Sequence, residues 1–103
     1  MDAPLKELER MQALQRQGRK LLEAGQLPEA MAAVEEALAL ERDNVRSLTL
    51  QADVLERMDR TEEAAALRQR IRLLRREAWQ REVEAELRSR HDLLGGAIRH
   101  EQL

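Results

Sequence analysis

The sequence predicts an all-α protein of antiparallel helical hairpins with an extended C-terminal helix, and three observations predict it. Leu, Ala, Glu, Arg and Gln fill nearly every window, while Phe and Tyr are absent and Trp occurs once, so the residues that favour strands are scarce. The pattern repeats with a period of 34 residues. From Glu62 to His91 there is no Gly, Pro, Asn or Asp, which leaves nothing to end a helix. With 103 residues the chain is one domain at the short end of what can build its own core.

Helices are expected over residues 4–24, 28–41, 45–57 and 61–92, with a flexible tail over 93–103. Gly25, Gln26, Leu27 and Pro28 read as the first turn, because Gly can end one helix and Pro can sit in the first turn of the next. Asp43 and Asn44 supply the second turn. At the third, Asp59 stands where Gly25 stood, and Asp59 or Thr61 can cap the following helix.

A shift of 34 residues places Leu14 on Leu48, Gln17 on Gln51, Leu21 on Leu55, Glu29 on Glu63, Ala30 on Ala64, Ala32 on Ala66, Leu40 on Leu74 and Arg42 on Arg76. Gly18 falls on Ala52 and Ala37 on Ile71, so the matched sites are largely the small and apolar ones where helices touch. Over residues 11 to about 76 the chain resembles the tetratricopeptide repeat, a 34-residue pair of antiparallel helices with small residues at their crossing. Leu14, Gly18 and Leu21 match the large, small, large spacing of its first helix, and Ala30, Val34 and Ala37 match its second. In the second unit Leu48, Ala52, Leu55 and Ala64 fit, Arg68 stands at the aromatic position, and Arg42 and Arg76 replace the closing proline. The units are then 11–44 and 45–76, flanked by an N-terminal helix extension over 1–10, a C-terminal one over 77–92 and the tail.

The resemblance implies a partner groove on the first helix of each unit, lined by Gln12, Gln15, Arg19 and Leu22 with Arg46, Thr49, Asp53 and Glu56. Family members that clamp a C-terminal carboxylate use Lys and Asn, and the residues here differ from that set. The expected function is an interaction or assembly scaffold that binds a protein or peptide.

The last helix changes its apolar face. With Leu67 at zero and 100° per residue, Ile71, Leu74, Ala78 and Ala85 fall within about 40° of zero, whereas Trp79, Val83, Leu87 and Leu94 fall between about 120° and 200°. One stripe cannot face two ways, so the sequence implies either a kink near Arg76–Trp79 or a second partner surface. The second is preferred here: a homodimer or larger homo-oligomer held by Trp79, Val83, Leu87 and Leu94.

Charge is uneven as well. Six acids between Glu23 and Asp43 face Arg42 alone, while Arg68, Arg72, Arg75 and Arg76 form a basic ridge on the last helix. That ridge could track phosphates and carries the competing reading, a nucleic-acid accessory protein. Against it stand a formal net charge of −2 and a single aromatic for stacking.

Catalysis is not expected. The only histidines are His91 and His100, Ser47 and Ser89 have no base at helical spacing, and Gly95 and Gly96 follow a helix where a phosphate loop would open one. No metal or cofactor is expected, and the absence of cysteine excludes a thiol nucleophile and a thiolate metal site. No apolar run is long enough to span a bilayer and the first residues lack a signal-peptide pattern, so no membrane insertion and a cytoplasmic location are expected.

Overall fold

The structure is a computed structural model that describes the backbone of residues 3–102 and the side chains of residues 4–91. It contains four α-helices, α1 (Ala3–Glu23), α2 (Leu27–Leu40), α3 (Val45–Arg57) and α4 (Thr61–Gln102), and no strand among the described residues. The protein is all-α. The chain divides into two units, Met1–Arg72 and Leu73–Leu103, and the division falls inside α4.

In the first unit α1 and α2 form an antiparallel hairpin. Leu22, late in α1, packs with Ala30 and Val34 early in α2, and Met11 and Leu14 pack with Ala37 and Leu40 at the other end. Leu50 and Val54 of α3 complete the main core with Leu22, Ala30 and Val34. α3 lies beside α1 and runs the same way, since Gly18 meets Leu50 and Gln15 and Arg19 bond to Ser47 and Asp53.

Small residues permit this packing. A Cβ on Gly18 would stand 2.9 Å from Leu50 Cδ2 and 3.5 Å from Val34 Cγ2, so α1 approaches both neighbours at the one residue without a side chain. Its partner at the 34-residue shift, Ala52, is fully buried, as are Ala30 and Ala37, and Ala64 and Ile71 are nearly so.

Two turns repeat in detail. After α1, Gly25 adopts φ 78°, its N–H donates to Leu22 O and the Gln26 N–H to Leu21 O at 3.0 and 2.9 Å. After α3, Asp59 adopts φ 61°, and the N–H groups of Asp59 and Arg60 donate to Glu56 O and Leu55 O at 3.1 and 2.9 Å. Every donor and acceptor is displaced by 34 residues, and each set is the double hydrogen bond that closes a helix on a left-handed residue. Asp59 thus takes the turn position where the sequence sets it in place of glycine, its short polar side chain making the left-handed conformation tolerable. At the middle turn Asn44 caps α3, its Oδ1 accepting from the Ser47 N–H at 2.9 Å.

α4 departs from expectation in length. It continues unbroken past Arg76–Trp79 and past Asp92 to Gln102, where the sequence reading ends the helix at 92 and begins a flexible tail. Gly95 and Gly96 each weaken a helix by only about 1 kcal/mol relative to Ala, which is not enough to stop one on its own.

Candidate interaction surface

The aligned helices α1 and α3 bring most of the expected groove residues together. Gln12, Gln15, Arg19 and Arg46 line an open cavity of about 620 Å³ with Arg16, Lys20 and Leu50. Arg19, Leu22, Asp53 and Glu56 line a neighbouring one of about 330 Å³ with Arg57. Thr49 lines neither; it is half-buried and its hydroxyl donates to Val45 O within its own helix.

Two of the expected groove residues belong to the interior. Leu22 is only 4% exposed and sits in the main core. Gln15 is buried, and its Nε2 donates to Asn44 Oδ1 and Ser47 Oγ, both at 2.9 Å. Ser47 is itself fully buried, so the contact joins α1 to the start of α3 away from water. Asn44 Nδ2 donates in turn to Glu41 at 3.1 Å, and no buried polar side-chain atom among the described residues lacks a partner.

The acids of the groove are already matched. Asp53 accepts from Arg19 on one oxygen and Arg68 on the other, each at 3.0 Å, and Arg68 also donates to Glu56 at 2.6 Å. This ion network ties α1, α3 and α4 within the first unit. Hydrogen bonding to Asp53, and then to Glu56, raises the Arg68 guanidinium above its ordinary value. The basic ridge therefore loses its first member to internal pairing, while Arg72 in the first unit and Arg75 and Arg76 in the second remain exposed.

What remains unmatched in the groove is cationic. Arg16, Lys20 and Arg46 are exposed and make no ion pair among the described residues. Sequence reading named Arg46 but missed Arg16 and Lys20, which each follow a named position, Gln15 and Arg19, and could have been found by extending the groove by one residue after each.

No family model, curated protein or solved structure matches this chain. Its surface chemistry has to be read from its own residues.

In the second unit Trp79 and Leu87 are 63% and 58% exposed and Val83 is half-buried. The three line a shallow depression of about 360 Å³ with Glu82, Glu86 and Arg90. Leu94, the fourth member of the expected self-association stripe, lies outside the residues whose side chains are described. His91 is exposed, and no group of three or more metal-ligating side chains gathers among the described residues. No helix among them is long and apolar enough to cross a membrane.

Proposed function

We propose that this chain is a tetratricopeptide-type binding module that holds an acidic stretch of a partner protein on the α1–α3 face and self-associates through the second unit. The observation that carries the groove reading is the imbalance of charge: Asp53 and Glu56 are consumed by Arg19 and Arg68, whereas Arg16, Lys20 and Arg46 point their charge at an open cavity with no carboxylate to meet it. Peptide carboxylates would supply the missing partners, and Gln12 at the cavity wall can hydrogen-bond a peptide backbone. Binding needs no cofactor and no chemistry at the site. The repeated turns and buried small residues at the 34-residue spacing support the resemblance to the repeat family, in which the corresponding face receives partners.

Fluorescence anisotropy with a fluorescein-labelled polyglutamate peptide tests the groove. Binding is expected, weakening as salt is raised, and the variant Arg16→Glu, Lys20→Glu, Arg46→Glu should lose it with its helical circular dichroism intact. Unchanged binding by that variant would overturn the groove. The competing nucleic-acid reading is favoured by the exposure of Arg72, Arg75 and Arg76. A labelled single-stranded oligonucleotide bound in preference to the peptide, and lost on reversing those three arginines, would replace the protein-partner reading with it.

A further inference from the structure

The second unit offers a helix face whose residues complement each other when the helix is reversed. On a wheel with Trp79 at zero, Val83 lies at about 40°, Leu87 at about 80° and Leu73 at about 120°, with Arg76 near 60° and Glu86 at the margin near −20°. Glu77, Arg81, Glu84 and Arg88 occupy the opposite side, between about 140° and 200°. None of the four apolar side chains is buried: Leu73, Trp79 and Leu87 are all more than half exposed and Val83 is half-buried.

Between Leu73 and Leu87 the residues on this face run apolar, basic, aromatic, polar, aliphatic, acidic, apolar: Leu73, Arg76, Trp79, Gln80, Val83, Glu86, Leu87, with Arg90 following near 20°. Leu73 and Leu87 are equidistant from Gln80, while Trp79 with Val83 and Arg76 with Glu86 are each equidistant from Arg81. Resting on the self-association reading, we infer that two copies of the chain pair antiparallel along this face about a two-fold axis at Gln80–Arg81. Leu73 then packs on Leu87 of the partner subunit, Trp79 on Val83 of the partner subunit, and Arg76 meets Glu86 of the partner subunit, each contact occurring twice. A parallel pairing in register would place Arg76 on Arg76 of the partner subunit and Glu86 on Glu86 of the partner subunit, which repel. A uniformly acidic or basic partner matches only one end of the face. Arg90 brings its own counter-charge, since it donates to Glu86 at 3.3 Å.

The chain has no cysteine, so introduced thiols report the register without interference. Light scattering after size exclusion is expected to give twice the 11.9 kDa chain mass at high micromolar concentration. With a short bis-maleimide, a mixture of Leu73→Cys and Leu87→Cys chains should cross-link to a dimer. Each variant alone should cross-link poorly, and Gln80→Cys, beside the axis, should cross-link to its own copy. Leu73 and Leu87 are well exposed, so these substitutions leave the fold intact. A monomer mass at every concentration would sink self-association itself, and the register with it. A doubled mass with Leu73→Cys and Leu87→Cys each cross-linking alone as fully as the mixture would overturn the antiparallel register while leaving self-association standing.

Discussion

At the scale of single residues, Gly18 and the pair Gly25 and Asp59 decide the most. The space above Gly18 is closed by Leu50 and Val34, so Gly18→Val should overpack the crossing of α1 with α2 and α3. It should destabilise by about 1–3 kcal/mol, and Ala30→Leu, at a fully buried position, by a similar amount, both read by thermal denaturation. Gly25 poses a different problem, because nothing stands within 4 Å of a Cβ placed there and only its left-handed φ resists substitution. Gly25→Ala should therefore cost about 1 kcal/mol, from the local crowding of Cβ against its own backbone and not from any neighbouring residue. Asp59→Gly should cost nothing, because the relief of backbone strain and the added freedom of the unfolded chain nearly cancel. The small residues were legible in the sequence because size and period coincide at them. The left-handed Asp59 was legible only as a missing glycine, since Asp serves caps and turns alike and nothing in the residue says which.

At the scale of elements, the helices and their order were readable from propensity and breakers, and α3 has the predicted bounds of 45 and 57. The polar links between helices were not. Gln15 looks like a surface glutamine on a helical face, and its burial follows from Ser47 and Asn44, which lie about thirty residues away and reach it only once α1 and α3 run side by side. Removing it strands a buried hydroxyl, so Gln15→Ala should destabilise by about 1–3 kcal/mol in urea denaturation. Asp53 behaves otherwise. Its partners Arg19 and Arg68 are 45% and 33% exposed, and solvent screens both pairs, so Asp53→Ala should cost only about 0.5–1 kcal/mol and lose most of that effect in high salt. The basic ridge, drawn from a helical wheel of α4 alone, included Arg68, and the groove implied by the family resemblance included Gln15; a wheel or a matched spacing places a side chain on a face but does not show what the neighbouring helix offers it.

At the scale of the whole molecule, the question is what the exposed face of the second unit does, and charge reversal addresses it through the one tryptophan. Trp79 is largely exposed in the single chain, so its emission should lie toward the red on dilution and move to the blue as concentration rises and the partner's Val83 covers it. Paired antiparallel, Arg76 meets the partner's Glu86 twice, and exposed ion pairs contribute about 0.5–1 kcal/mol each. Arg76→Glu replaces both attractions with repulsions and should weaken association by at least about tenfold, as should Glu86→Arg, since 1.4 kcal/mol is a factor of ten. The double variant Arg76→Glu, Glu86→Arg restores opposite charges across the axis and should recover most of the association. So should an equimolar mixture of the two single variants, because in the mixed dimer one contact is the original pair and the other its reversal, and both join opposite charges. The double variant is the cleaner test. Its recovery separates pairing across the axis from any local effect on the helix, because within one chain residues 76 and 86 are ten apart and about 80° around the wheel, too far to contact each other. If the double variant associates no better than either single one, Arg76 and Glu86 do not meet, and the antiparallel register fails even where the dimer persists.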